Sequence, residues 1–151
     1  MSESFKTAVT GGSYRGGMTP RFDMIGLVVA DLSASLEFYR RLGLDIPETP
    51  ADSPHAEITL PNGLRIAWDP VSTIQSFDEG WAPPSGGHRV GLAFRCDSPA
   101  DVDKTYESIT SAGHRGHKAP WDAFWGQRYA MLLDPDGNSV ELFADLPTAG
   151  A

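Results

Sequence analysis

Apolar residues recur in two successive stretches of the chain, and both stretches predict the same order of elements. The first predicts a strand over residues 22–29, a helix over residues 32–42, and a hairpin of two strands over residues 55–60 and 64–68. Asp31 is a typical helix N-cap, Gly43 a typical helix stop, and Asn62-Gly63 a typical hairpin turn. This stretch is expected to form one strand, one helix and further strands.

The second stretch repeats this order. It predicts a strand over residues 90–96, a helix from Pro99 that ends at Gly113, an edge strand over residues 114–120, and a closing hairpin over residues 127–133 and 139–143. Ile25-Gly26-Leu27 and Val90-Gly91-Leu92 occupy equivalent places about 65 residues apart. That period is too long for a solenoid repeat and suits a duplicated βαβββ module.

The predicted fold class is therefore α+β, with two βαβββ modules. The first module is expected over residues 20–75, a linker rich in Pro and Gly over residues 76–88, and the second module over residues 89–146. Residues 1–19, rich in Ser, Thr and Gly, are expected to be a flexible tail, and residues 147–151 a second tail.

The two-residue period of a strand predicts which side chains face the helices. The set expected to pack on a helix is Ile25, Leu27, Val29, Val90, Leu92, Phe94 and Cys96. The opposite set would line a cavity enclosed by two curled sheets: Met24, Gly26, Val28, Gly91, Ala93, Arg95, Glu141 and Phe143. The small residues in this set leave room for a ligand, or they relieve crowding at a bend in the sheet.

Glu141 is the most informative polar position of the closing hairpin. It stands between Val140 and Leu142, so its side chain faces away from the core if theirs face toward it. A carboxylate inside a curved sheet is a candidate metal ligand, proton acceptor or ligand anchor. The acidic tip before it, residues 134–138, lacks the length of a calcium-binding loop and predicts a turn.

Large aromatic residues are concentrated at the end of the predicted strand over residues 64–68, in the linker, and around the start of the predicted strand over residues 127–133. They are Trp68, Trp81, Trp121, Phe124, Trp125 and Tyr129. Trp and Tyr offer stacking area together with a polar group for flat ligands. The alternative is that residues 121–129 form an apolar plug that closes one end of the barrel.

Four histidines and one glutamate are further candidates for acid/base, ligand-contacting or metal-binding residues. His55 and Glu57 share one face of their strand, which either lines the cavity as an acid/base pair or is the wet face of an edge strand. His88 lies three residues before Gly91, close enough to contact a ligand in the cavity. His114 and His117 form either a paired metal site or part of a solvent-exposed loop.

The composition of the chain limits the kinds of binding partner that can be expected. The net charge is −8 and no cluster of Lys and Arg exists, which argues against nucleic acid and against an anionic membrane surface. Cys96 is the single cysteine, so no internal disulfide can form and a reducing cytoplasm is expected. No apolar run approaches the ~20 residues that span a bilayer, and the N-terminus lacks the apolar core of a signal peptide.

Three segments resemble the vicinal oxygen chelate superfamily, which includes glyoxalase I, bleomycin-resistance proteins and extradiol dioxygenases. They are Ile25-Gly26-Leu27-Val28-Val29-Ala30-Asp31-Leu32 with Phe38-Tyr39-Arg40 downstream, Gly91-Leu92-Ala93-Phe94 followed by Asp97, and Asp134-Pro135-Asp136-Gly137-Asn138-Ser139-Val140-Glu141-Leu142. The resemblance covers residues 21–146. It implies paired modules forming a curved mixed sheet around a U-shaped cavity, and a homodimer.

Enzymes of that superfamily hold a divalent metal with His and Glu side chains from four strands. The first His position corresponds to Met24 and the second to Gly91, and no carboxylate lies within residues 65–68. Glu141 is the only residual metal candidate, and a Met thioether is a soft ligand unsuited to hard divalent ions. The sequence therefore predicts that the metal chemistry of the family is absent and that no cofactor is needed.

Bleomycin-type resistance proteins of the same superfamily lack the metal and bind a drug in the groove. The resemblance therefore implies a metal-independent protein that sequesters an antibiotic or an aromatic natural product. Glu141 and Arg95 would anchor polar groups, while Trp68, Trp125 and Phe143 would stack. The full set expected to contact the small-molecule ligand is Met24, Val28, His55, Glu57, Trp68, His88, Arg95, Trp121, Phe124, Trp125, Tyr129, Glu141 and Phe143.

Two alternatives remain open. One is a glyoxalase-like lyase, isomerase or dioxygenase whose divalent metal site is relocated to His55, Glu57, His88 or the pair His114 and His117. The other is an accessory domain with a vestigial groove.

Overall fold

The computed structural model describes residues 20–148, which form seven strands and three helices in an α+β arrangement. Their order is β1 (Met24–Val29), α1 (Leu32–Arg41), β2 (Ala56–Thr59), β3 (Arg65–Pro70), α2 (Val71–Gln75), β4 (Gly91–Arg95), α3 (Pro99–Ser111), β5 (Arg115–Ala123), β6 (Gln127–Leu133) and β7 (Ser139–Asp145). The predicted fold class is confirmed. The expected flexible tail over residues 1–19 lies outside the described residues.

The strands form two mixed sheets, and within residues 20–148 neither closes into a barrel. The first sheet has the order β1-β3-β2, and the second has the order β4-β7-β6-β5. In both sheets the first strand of the module runs parallel to its neighbour and the other pairs are antiparallel. The second module has all four strands of the βαβββ pattern, whereas no strand forms between residues 44 and 55 of the first.

Local capping explains where the two long helices begin and end. The side chain of Asp31 accepts a hydrogen bond from the backbone N–H of Ala34 at 3.0 Å, and that of Ser98 accepts one from Asp101 at 3.2 Å. Gly43, with φ of +96°, allows the chain to leave α1 in the left-handed conformation that other residues rarely adopt. The predicted start and end signals of these helices are thus present as expected.

The buried faces of the sheets follow the predicted two-residue alternation. Leu27 and Val29 of β1 are buried, as are Val140 and Leu142 of β7. The side chains between them, Val28 and Glu141, point to the opposite face of their sheets and are only partly buried. Val90 departs from the prediction, because it precedes β4, does not join the ladder and is 69% exposed.

The tip of the β6–β7 hairpin fastens the second module to the first. Asp134 is fully buried and accepts a hydrogen bond from the hydroxyl of Tyr39 at 2.7 Å, while Asp136 accepts one from the backbone N–H of Ala30 at 2.9 Å. Burial and the nearby charge of Asp134 raise the pKa of Tyr39, so this hydroxyl stays a donor at all ordinary pH values. The predicted turn is confirmed, and its acidic side chains are structural.

Candidate ligand-binding site

An aromatic row crosses the second sheet on the face opposite α3. The strand register places Trp121 of β5 beside Tyr129 of β6, Tyr129 beside Phe143 of β7, and Phe143 beside Arg95 of β4. Cross-strand neighbours of this kind lie close enough for their rings to meet. Sequence-distant aromatic residues are therefore brought together by the register alone.

A second row runs parallel to the first and carries the charges. Lys118 of β5 lies beside Met131 of β6, Met131 beside Glu141 of β7, and Glu141 beside Ala93 of β4. Lys118 and Trp121 are an odd number of positions apart, so regular alternation would point them to opposite faces. Register shifts on either side of Lys118 bring both side chains to the same groove.

Together the two rows form one wall of an open groove of about 930 Å³. Its lining is Arg95, Lys118, Trp121, Phe124, Trp125, Gln127, Tyr129, Met131, Glu141 and Asp145. This volume is within the usual range for sites that bind a drug-sized molecule. Every lining residue belongs to the second module.

Edge-to-face contacts hold the aromatic wall together. The ring of Trp125 lies 6.1 Å from that of Trp121, 5.0 Å from that of Phe124 and 5.2 Å from that of Tyr129. Tyr129 and Phe143 are stacked with their centroids 6.2 Å apart. The indole N–H of Trp125 donates to the side chain of Gln127 at 2.8 Å. The wall is thus pre-arranged, with ring faces and edges directed toward the groove.

Glu141 lies beside this wall and is held by Tyr129. The hydroxyl of Tyr129 donates a hydrogen bond to the Glu141 carboxylate, and burial together with that negative charge raises the pKa of Tyr129 to about 12. The carboxylate also folds over the backbone of Gly91. A Cβ at position 91 would collide with its Oε2 and would lie only 3.1 Å from its Cδ.

Two cations cover aromatic faces at the ends of the rows. The guanidinium of Arg95 lies 4.7 Å from the centroid of Phe143 and donates to Asp145 at 3.3 Å. The ammonium of Lys118 lies 4.0 Å from the ring of Trp121. Each cation sits at the border of the groove, where a ligand that stacks on the ring would meet it.

The structure brings seven of the predicted ligand-contacting residues to this one face. Arg95, Trp121, Phe124, Trp125, Tyr129 and Glu141 line the groove, and Phe143 supports Tyr129. The prediction omitted Lys118, Gln127, Met131 and Asp145. The alternation that placed Glu141 on this face also places Met131 and Gln127 there once the hairpin register is known.

Trp68 is the clearest error among the predicted contacts. It was expected to stack on a ligand, but it is fully buried and packs edge-to-face on Tyr39 at 5.7 Å. It shares its strand face with Ile66, which also packs on the α1 side. The alternation of β3 therefore turns the indole into the core of the first module and away from the groove.

Other predicted contacts lie apart from the groove. Met24 and Val28 belong to the first sheet, and Val28 lines a separate cleft of about 370 Å³ with Trp81. The ring of His88 lies 6.3 Å from that of His117. His88 precedes β4 and His117 belongs to β5, and these two strands are opposite edges of the second sheet. The segment that carries His88 therefore extends from the β4 edge toward the β5 edge.

His55 and Glu57 form a charged network on the first sheet. His55 Nδ1 lies 2.6 Å from Asp69 Oδ1, and its Nε2 lies 3.0 Å from Glu57 Oε1. Hydrogen bonds that His55 donates to Asp69 and then to Glu57 raise the pKa of His55, while the hydrogen bond from Arg65 lowers the pKa of Glu57. Both ring nitrogens of His55 are engaged, which leaves neither directed at a ligand. Asp69 was not among the predicted residues.

The donor atoms around Glu141 do not suit a divalent metal ion. Its strand neighbours are Ala93 and Met131, and Gly91 beneath it has no side chain. Across residues 20–148, no group of three or more His, Cys, Asp or Glu side chains is arranged to hold a metal. His114, proposed to pair with His117, instead contacts Glu37 at 2.9 Å. The relocated metal set is therefore not assembled in the described part of the chain.

Comparisons with known proteins agree with this architecture. A crystal structure of a glyoxalase/bleomycin resistance protein/dioxygenase from Nocardioides is 27% identical, with 99% of this chain and 94% of that chain covered and a TM-score of 0.67. A protein of unknown function from Agrobacterium tumefaciens str. C58 is 29% identical over 88% of this chain and 98% of its own, with a TM-score of 0.63. A glyoxalase/bleomycin resistance protein/dioxygenase family enzyme from Burkholderia phytofirmans PsJN has the same fold, with a TM-score of 0.71. It is 20% identical, with 84% of this chain and 100% of that chain covered.

Curated proteins show no significant match to the sequence. The family model described as the glyoxalase/bleomycin resistance protein/dioxygenase superfamily matches residues 21–142, which is more than half of the chain. None of the helices in residues 20–148 has the length and apolar character needed to cross a membrane.

Proposed function

Because the chain belongs to the glyoxalase/bleomycin resistance protein/dioxygenase superfamily, we propose that it binds a planar aromatic small molecule, such as an antibiotic or an aromatic natural product, without a metal. Binding takes place in the groove of the second module and acts by sequestration. The observation that carries this proposal is the aromatic row Trp121–Tyr129–Phe143 beside the carboxylate of Glu141.

The shape and chemistry of the groove support a flat ligand. Four aromatic side chains line it directly: Trp121, Phe124, Trp125 and Tyr129. The polar side chains of the lining are Arg95, Lys118, Gln127, Glu141 and Asp145. This combination of aromatic area and polar groups at fixed positions suits a flat ligand that also carries polar groups.

The donor set argues against the metal-dependent activities of the superfamily. A catalytic divalent ion requires several convergent oxygen or nitrogen ligands. The strand neighbours of Glu141 are Ala93 and Met131, with Gly91 beneath it, and none of them supplies such an atom. The hydroxyl of Tyr129 beside it has a pKa raised to about 12 and stays protonated at neutral pH. Sequestration needs none of these ligands, so it fits the residues that are present.

A second copy of the chain is part of the proposal. β1 and β4 are both edge strands, and nothing in residues 20–148 pairs with their outer edges. Met24 of β1 and Val90 before β4 are exposed apolar residues, 37% and 69% accessible. An open edge with apolar side chains favours association with another strand. Light scattering of the purified protein is expected to give the mass of a dimer.

A binding screen tests the function. Quenching of tryptophan fluorescence by a panel of aromatic antibiotics and natural products is expected to find at least one ligand of micromolar affinity or better, which is recovered chemically unchanged. Trp121→Ala should weaken the affinity several-fold, with Trp125 still reporting any binding, whereas Trp81→Ala, in the separate cleft, should preserve the affinity. Absence of binding across a broad panel would count against sequestration.

A further inference from the structure

Glu141 is a carboxylate without an ionic partner in the groove. Among the described residues its hydrogen-bond donor is the neutral hydroxyl of Tyr129, and no Lys, Arg or His forms an ion pair with it. An ionised carboxylate accepts several hydrogen bonds at once. The carboxylate of Glu141 can therefore accept a further hydrogen bond from a donor in the groove that it lines.

Lys118 is the matching cation. No carboxylate of the described chain forms an ion pair with it, and its ammonium instead lies over the ring of Trp121 at 4.0 Å. An exposed cation–π contact is weak and is readily exchanged for a charged partner. Arg95, the other cation of the groove, is already engaged by Asp145 and Phe143.

The two unneutralised charges have a fixed relationship to each other. Lys118 and Glu141 stand in the same row of the sheet with Met131 between them. Adjacent strands are ~4.8 Å apart, so their backbones are separated by roughly 10 Å across the groove wall. The aromatic row Trp121–Tyr129–Phe143 runs alongside this pair at the next facing positions.

From this arrangement we infer that the ligand is an amphoteric aromatic molecule. Its planar ring system lies on the aromatic row, a protonated or N–H-rich group contacts Glu141, and a carboxylate or other anionic group draws Lys118 away from Trp121. The inference rests on the proposed function of the same groove and names the chemical class of its ligand. Lys118 then determines specificity, because it distinguishes an amphoteric ligand from a purely cationic one of the same shape.

Three dyes with one xanthene core provide the test. Rhodamine 110 carries both a cationic ring system and a carboxylate, rhodamine 123 is its methyl ester and carries the cation alone, and fluorescein is an anion. Fluorescence anisotropy of each dye with the full-length protein gives the affinities. Rhodamine 110 is expected to bind about tenfold more tightly than either of the other dyes, because only it satisfies both charges.

Single substitutions assign the two charges. Lys118→Met should weaken rhodamine 110 about tenfold and leave rhodamine 123 unchanged, while Glu141→Gln should weaken both rhodamines and not fluorescein. Lys104→Met is the matched control, because it removes the same charge from an exposed position of α3 on the other side of the sheet, and it should change nothing.

The outcomes separate this inference from the function on which it rests. Equal affinity for rhodamine 110 and rhodamine 123, or an unchanged affinity for rhodamine 110 in Lys118→Met, would overturn the amphoteric class while leaving aromatic binding intact. Failure of all three dyes to bind would overturn the inference, and failure of the broad aromatic panel as well would overturn the proposed function.

Discussion

The carboxylate of Glu141 occupies the space above Gly91 that any side chain at position 91 would need. The superfamily resemblance places a metal-binding His at position 91 and a metal-binding Glu at position 141. In this chain the carboxylate lies over the bare backbone and accepts a hydrogen bond from Tyr129. The one acidic residue that matches the metal ligands of the family therefore lies over a position that offers no second donor.

This packing predicts different effects for two equivalent glycines. Gly91→Ala should displace Glu141 and separate it from Tyr129, because the new methyl group would collide with the carboxylate. Gly26→Ala is the matched control, since its Cβ would meet only the end of Met24 at an ordinary distance of 3.9 Å. Anisotropy with rhodamine 110 should show several-fold weaker binding for the first variant alone. Equal binding by both variants would show that the position of Glu141 does not matter.

Removal of the Glu141 charge should lower the pKa of Tyr129. Burial is the main cause that raises the pKa of Tyr129 to about 12, and the carboxylate adds to it. In Glu141→Gln this pKa should therefore fall but stay above 10.0, the ordinary value, because the burial remains. Ultraviolet titration of tyrosinate, with Tyr129→Phe subtracted to isolate one residue, measures it. An unchanged pKa would mean that the two side chains do not interact in solution.

The contact between Tyr39 and Asp134 should contribute strongly to stability. Tyr39→Phe leaves a fully buried carboxylate short of one hydrogen bond, which is expected to lower the free energy of unfolding by about 1.5–3 kcal/mol. Urea denaturation measures the loss. Tyr106→Phe is the control, because its hydroxyl makes no hydrogen bond with another described residue. A similar loss in both variants would contradict a specific role for the hairpin tip.

His55 should make the stability of the first module pH-dependent. Asp69 and Glu57 raise its pKa above the ordinary value of 6.5, so protonated His55 stabilises the folded chain. This contribution is fully present below pH 6.5 and is lost as the pH rises through the raised value. The melting temperature of His55→Gln should therefore lie below that of the unaltered protein in acid and approach it in alkali, by a small amount because the site is exposed. A difference that grows with pH would reverse this account.

The facing direction of a side chain can be predicted from the sequence where strand alternation is regular. Val140, Glu141 and Leu142 follow the two-residue period, so the outward direction of Glu141 could be predicted from its neighbours alone. The same rule applied to Trp68 would have grouped it with Ile66 on the buried face. Its large aromatic ring suggested a ligand contact, but a buried indole is equally suited to pack on Tyr39.

Other features depend on geometry that the sequence does not display. Lys118 reaches the groove because β5 is irregular on both sides of it, and no residue pattern signals those register shifts. Asp69 meets His55 only through the pairing of β2 with β3. The rings of His88 and His117 lie 6.3 Å apart although β4 and β5 are opposite edges of the sheet, and no residue pattern signals this approach.

Binding measured with and without metal tests the central claim most directly. Protein purified without chelator or affinity tag would be analysed for metal, then titrated with its best aromatic ligand in the presence of chelator and of Zn, Ni, Mn or Fe(II). The account predicts no bound metal, no thermal shift on metal addition, and the same affinity in every condition. One tightly held metal per chain, lost in Glu141→Gln and required for binding or turnover of the ligand, would contradict it.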